Sequence, residues 1–171
     1  MRVILFRHGP AEARDPRRWP DDRLRPLTAK GEARTRRAAR GLRRLEGGIR
    51  VVLTSPLVRC ASSAELVAHE TEAVNGVQAV AALAPGGSWR AVLARFAEES
   101  PEATLVAVGH EPDLGKLAGV LLFGAPAALA IKKAGACSID LADEVAAGGG
   151  QLRWFLPPRT LSRLAPSRSK V

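Results

Sequence analysis

Two of the chain's three histidines stand directly behind apolar runs, each close to groups that bind anions. His8 lies in Arg7-His8-Gly9-Pro10, after Val3-Ile4-Leu5-Phe6. His110 follows Leu105-Val106-Ala107-Val108-Gly109 and precedes Glu111-Pro112. A neutral imidazole is a nitrogen nucleophile near physiological pH. Arginine offers a planar fork that matches phosphate oxygens. A third cluster, Ser55-Pro56-Leu57-Val58-Arg59, adds a second arginine in what reads as the first turn of a helix. Helix N-termini favour anions through their free N–H groups. Two arginines, two histidines and helix ends of this kind suit one ligand chemistry, a phosphoryl group in transfer.

These groups act together only if their strands end together. Residues 2–7 read as a buried strand, because the apolar run is short and β-rich. Residues 9–27 are a polar loop with Pro10, Pro16, Pro20 and Pro26. Thr28 caps a helix over about Ala29–Leu45, with Ala38, Leu42, Leu45 and, less perfectly, Ala33 on one face; Gly47-Gly48 ends it. Ile49–Thr54 is a second buried strand, and Ser55-Pro56 opens a helix that runs to about Glu70. A weaker strand over 77–83 follows, then a helix over 89–99 capped by Ser88. Thr104–Gly109 is a clear strand, 112–122 is helical, and 137–141 and 152–156 are two late strands around Gly148-Gly149-Gly150. Strand alternating with helix predicts a parallel or mostly parallel sheet covered on both faces. In such a sheet the first, second and fourth strands deliver their terminal residues to one edge, where open α/β folds bind ligands.

The chain has 171 residues, 46% hydrophobic and 25% charged, which suits one globular domain with a real core. We expect that domain over residues 1–156 and a loosely ordered tail, rich in Pro, Ser and Arg, over 157–171. The net charge of +9 is unevenly placed. Residues 28–50 carry eight Lys/Arg against two acids, and 151–171 carry five against none. The basic helix reads as a solvated face. It has no interleaved aromatic residues on which bases could stack, which argues against nucleic acid as a partner. Cys60 and Cys137 form neither a metal-ligand spacing nor a disulfide framework. No apolar run approaches the length of a membrane span, and the short apolar start is not a secretory signal, so a cytoplasmic protein without a membrane partner is expected.

Taken together, Arg7-His8-Gly9, Arg25-Pro26-Leu27-Thr28-Ala29-Lys30-Gly31, Ser55-Pro56-Leu57-Val58-Arg59 and Gly109-His110 resemble the histidine phosphatase, or phosphoglycerate mutase-like, superfamily. They occur in that family's order, and the short chain with its Arg-Pro-Leu-Thr loop looks most like the compact SixA-type phosphohistidine phosphatases. The resemblance implies a three-layer α/β/α sandwich on a six-stranded, mostly parallel sheet with one antiparallel strand. It implies His8 as the nucleophile that becomes phosphorylated, with Arg7, Arg59 and His110 clamping the phosphoryl oxygens and Arg25 adding a further contact. Nearby arginines should keep His8 neutral. No metal and no cofactor are called for.

One departure from the family pattern concerns the proton donor. Many members carry a Glu or Asp general acid in the turn after the third strand, and here that stretch is Ala82-Leu83-Ala84-Pro85-Gly86-Gly87-Ser88. An ester leaves as an alkoxide that needs a proton, whereas a protonated imidazole leaves readily. The missing acid therefore favours phosphohistidine on a protein over a small phosphate ester. Asp22 is the best remaining acid; Glu111 and Asp113 are the others, weakened by nearby arginines. The expectation is a metal-independent phosphatase with a phosphohistidine intermediate. The alternatives are a phosphatase of a small phosphorylated metabolite, and a non-catalytic module that docks through its basic helix.

Overall fold

Val3, Ile4, Leu5 and Phe6 are all fully buried, because the first strand, β1 (Arg2–Arg7), runs through the interior of the sheet with helices on both sides. The chain is described by a computed structural model that covers residues 1–142 and 144–166. The elements after β1 are α1 (Ala29–Leu45), β2 (Ile49–Thr54), α2 (Val58–Thr71), β3 (Val77–Ala79), α3 (Trp89–Ala97), β4 (Thr104–Gly109), α4 (Asp113–Phe123), β5 (Ala136–Leu141), β6 (Gly150–Leu156) and α5 (Pro158–Leu164). The sheet order is β3-β2-β4-β1-β5-β6. β1 pairs parallel with β4, as β4 does with β2 and β2 with β3, while β5 runs antiparallel to both β1 and β6. This is the expected mixed sheet with one strand reversed.

Side chains alternate across the sheet and split the core into two layers. Val3, Leu5, Leu105 and Ala107 pack with Val92 and Phe96 of α3 and Leu117 and Leu121 of α4. Ile4, Phe6, Val106 and Val108 face Ala38 and Leu42 of α1, Ala64 and Val67 of α2, and Leu161 of α5. The chain therefore leaves β1 toward one face of the sheet and leaves the neighbouring β4 toward the other. A crevice opens between adjacent strands where successive connections diverge in this way. His8 and His110 follow those two strands.

Four local expectations change. The buried residues of α1 are Gly31, Thr35, Ala38, Ala39, Gly41 and Leu42, while Ala33 and Leu45 face outward. Helix α2 begins at Val58 with Leu57 at its cap, so Ser55 and Pro56 stay outside the helix. Pairing along β3 lasts only from Val77 to Ala79 before a 3-10 turn over Ala81–Leu83. The tail expected to be loose from Pro157 forms α5 instead: Pro158 occupies the first turn and Leu161 is fully buried against α1. A Cβ at Gly41 would overlap the Leu161 carbonyl, so glycine there is what lets the two helices touch. So short a helix, with one buried Leu, has no readable stripe. Residues 167–171 lie outside the described part. Among the described residues, no helix is long and apolar enough to cross a membrane.

Glu46, just past α1, ties the two ends of the fold together. It is 3% exposed and its carboxylate accepts from Arg2 Nη1 at 2.8 Å, Trp154 Nε1 at 2.8 Å and Ser138 Oγ at 3.4 Å. Its loss leaves the indole N–H of Trp154 without its acceptor, whereas Arg2 keeps Asp140 at 2.8 Å. Glu46→Ala should therefore lower the unfolding free energy by about 2–4 kcal/mol. Urea melts followed by tryptophan fluorescence check this; a loss under about 0.5 kcal/mol contradicts it.

Candidate active site

His8 sits one residue beyond β1, and its backbone N–H still pairs with the Gly109 carbonyl at the end of β4. Its Nδ1 lies 2.7 Å from the Gly9 carbonyl. A carbonyl only accepts, so the Nδ1 carries the proton and Nε2 presents its lone pair. Burial pushes the imidazole pKa down to about 3, with His110, Arg59 and Arg7 pushing the same way. Burial, rather than the arginines anticipated from sequence, is thus the main reason His8 is neutral.

Gly9 is fixed in turn. Its N–H donates to Ser63 Oγ at 3.0 Å, and that hydroxyl donates to the Arg59 carbonyl at 2.7 Å. Ser63 therefore connects the His8 loop to the helix that carries Arg59. Sequence reasoning missed it; the available signal is its position four residues after Arg59, one turn along the same face. A Cβ at Gly9 would overlap Thr35 Oγ1 of α1, which explains a glycine directly after the histidine.

The other residues expected at the site converge on His8 from three segments. Arg59 is 4% exposed; its Nη1 donates to the Asp22 carbonyl at 2.8 Å and its Nη2 pairs with Asp22 Oδ2 at 3.1 Å. Arg25 Nε holds the other carboxylate oxygen at 2.8 Å, and Arg25 Nη1 donates to the Glu12 carbonyl. Arg25 first, and Arg59 with it, keep Asp22 below the usual carboxylate range. Arg7 Nη1 donates to the Ile131 carbonyl at 2.9 Å, and the Ile131 N–H donates to Glu111 Oε1 at 3.0 Å. The Nε atoms of Arg7 and Arg59 are both buried and have no hydrogen-bond partner among the described residues.

The His110 ring lies 5.1 Å from that of His8, inclined by 60°. Its Nε2 is 2.9 Å from Ser55 Oγ and 3.3 Å from Cys60 Sγ. Burial leads in pushing the His110 pKa down to about 4, and Arg59 adds to it. Burial also drives the Cys60 thiol up to about 12, so this sulfur stays protonated and serves as packing. The third histidine, His69, has a side chain 76% exposed.

Two neutral buried histidines have a consequence for stability. Their folded pKa values lie below the ordinary 6.5, so on acidification the unfolded chain takes up protons first. Their contribution to stability is complete above about pH 6.5 and is lost progressively as pH falls toward 3. In phosphate-free buffer the Tm should fall between pH 6.5 and 4, and His8→Gln should lose less over that interval. Parallel curves for the two proteins would contradict the burial argument.

Residues 3–113 match the family described as the histidine phosphatase superfamily (branch 1). An uncharacterized protein of Picosynechococcus sp. is 43% identical over 138 residues, covering 79% of this chain and 82% of that protein. Among solved structures, the protein histidine phosphatase SixA complexed with tungstate superposes with a TM-score of 0.82 at 26% identity, covering 94% of this chain and 99% of that one. A mycobacterial glucosyl-3-phosphoglycerate phosphatase with inorganic phosphate gives 0.69 at 18% identity over 92% and 98%, a likeness of fold alone. The histidine-bearing strand ends, the switch-point crevice and the matched span thus lead to one assignment: the chain belongs to the histidine phosphatase superfamily, in its SixA-type form.

Proposed function

We propose that the chain is a metal-independent phosphohistidine phosphatase that acts on phosphorylated protein. The observation that carries this reading is a histidine with its Nδ1 proton committed to Gly9, beside two buried guanidinium N–H groups that have no partner among the described residues. An unpaired buried donor costs about 1–3 kcal/mol, and an anionic ligand removes that cost. In the first step His8 Nε2 forms a bond to phosphorus while the bond to the leaving nitrogen breaks. In the second, water attacks phosphorus, the His8 N–P bond breaks and inorganic phosphate departs. Arg7, Arg59 and His110 hold the non-bridging oxygens, whose charge must be stabilised in flight.

Asp22 was the sequence's acid candidate, but its salt bridges keep it ionised. We assign it instead to anchoring Arg59. Arg25 uses two of its three nitrogens on Asp22 and Glu12, so its main part is to fix the same loop. Glu111 has a pKa raised by burial, yet its Oε1 is occupied by the Ile131 N–H. With Asp22 ionised and Glu111 engaged, an imidazole that accepts its proton from solvent suits the site better than an alkoxide. The SixA likeness, at 26% identity, supports the same choice.

The deciding experiment offers phosphohistidine protein, phospholysine and small phosphate esters in EDTA. Phosphohistidine should show a kcat/KM at least tenfold above any ester. Ester preference would make the protein a metabolite phosphatase. No turnover together with strong salt-dependent binding of an acidic partner would make it a docking module.

A further inference from the structure

The turn that leads into β5 is bound to the nucleophile's own backbone. Ile131 is buried and uses both its backbone groups near the site: its carbonyl accepts from Arg7 Nη1 and its N–H donates to Glu111 Oε1. Three residues on, the Ala134 N–H is shared between the carbonyls of Arg7 and His8, at 3.0 and 3.2 Å. The Gly135 N–H closes a turn on the Lys132 carbonyl at 2.7 Å, and the Arg7 N–H donates to the Gly135 carbonyl. Ala134 is fully buried at a φ of 59°, in the left-handed region that side chains with a Cβ seldom occupy. Such a backbone persists only where its surroundings hold it, and it is concentrated at functional sites. The turn places Lys133 one peptide bond from the N–H that grips His8, at the sheet edge where β1 ends.

We propose that Lys133 is a phosphoryl-binding residue, whose ammonium closes over the crevice from the β5 side and takes an oxygen that Arg7, Arg59 and His110 leave facing the mouth. The inference rests on the phosphatase reading and adds a cation from outside residues 3–113, the span that matches the family. The charges around this lysine support it. Burial of the ammonium lowers its pKa, and Arg7, Arg25 and Arg59 push the same way. Those arginines come from β1, the loop before α1, and α2. An ammonium repelled by all three lies in the field over the crevice where they meet. No carboxylate is among the charges acting on it. Asp22 is held between Arg25 and Arg59, and Glu111 Oε1 is taken by the Ile131 N–H. A cation pressed against three others is relieved when an anion enters. Lysine also suits the position. Its compact charge on a flexible stem can close on an arriving anion, whereas the braced guanidinium of Arg59 forms part of the fixed floor.

The test uses three variants at exposed positions, so packing is undisturbed. Lys133→Met keeps the stem and removes the charge, and Lys133→Arg restores the charge. Lys132→Met removes the same charge from the next residue, whose carbonyl rather than side chain serves the turn. Binding of inorganic phosphate is read by calorimetry near neutral pH in EDTA, without turnover. It should weaken about tenfold or more in Lys133→Met, as expected for a lost charged hydrogen bond. Lys133→Arg should recover most of the affinity, and Lys132→Met should change it by less than about twofold, as for an exposed charge that makes no contact. With phosphoimidazole as substrate, Lys133→Met should raise KM by a similar factor and change kcat little, because the groups that hold the phosphoryl in line remain. Equal weakening in the two methionine variants would assign the effect to general positive charge and overturn the proposal. Unchanged phosphate affinity in Lys133→Met, or no phosphate binding by the wild type, would also overturn it. A chain that binds phosphate through Lys133 but turns over no phosphorylated substrate refutes the phosphatase reading and keeps this site. One that hydrolyses phosphohistidine with a phosphate affinity indifferent to Lys133 refutes the site alone.

Discussion

His8→Ala abolishes turnover and leaves no phosphate covalently bound to the chain after acid-free quenching with labelled substrate. The expected fall in kcat is about 10⁴–10⁶-fold, the range seen when a nucleophile is removed from an otherwise intact site. No neighbouring group replaces it. His110 lies one ring away, but its Nε2 is engaged by Ser55 Oγ at 2.9 Å and crowded by Cys60. The Cys60 thiol, with its pKa pushed up to about 12, is a poor nucleophile at neutral pH. The loss should not be a folding defect. Among the described residues the His8 ring makes one hydrogen bond, to the carbonyl of the next residue, Gly9, and the Gly9 N–H keeps Ser63. Exogenous imidazole should restore part of the rate by entering the space the side chain leaves. A variant that turns over at the wild-type rate would place the nucleophile elsewhere and remove the basis of the proposed function.

That prediction was open to sequence reasoning because the strands before both histidines are buried on both faces. A continuous apolar run such as Val3–Phe6 has few other readings, and the residue at its end is delivered to a sheet edge. Caps were legible for the same local reason: Thr28 Oγ1 accepts from the Gly31 N–H and Ser88 Oγ from the Ala91 N–H, as the spacing required. What escaped was made by contacts between distant segments. Ser55 looked like a helix cap but serves His110, 55 residues away. Asp22 looked like a free acid until Arg59, 37 residues on, closed on it. Ser63 had no visible task before the His8 loop folded over it. Helix α5 depends on the gap at Gly41, which no local pattern announces.

The Asp22–Arg59 contact leads to the second large effect. Arg59→Ala should lower kcat by about 10²–10³-fold, the cost of removing one preorganised donor from a developing oxyanion. Both Nη atoms of Arg59 are spent on Asp22, which turns the remaining, unpartnered Nε into a fixed donor rather than a mobile one. Arg59→Lys should recover little, since one ammonium cannot brace against Asp22 and face the phosphoryl at once. Folding should survive either change, because Asp22 retains Arg25 at 2.8 Å and is not left as an unpaired charge. A double-mutant cycle then separates two roles for Asp22. As the anchor of Arg59, its replacement by Asn should cost about tenfold in the wild type and almost nothing in the Arg59→Ala background. As a proton donor to the leaving group, it would cost the same in both backgrounds, and more for esters than for phosphoimidazole. Equal losses in the two backgrounds would therefore return Asp22 to the acid role that its ion pairs now argue against.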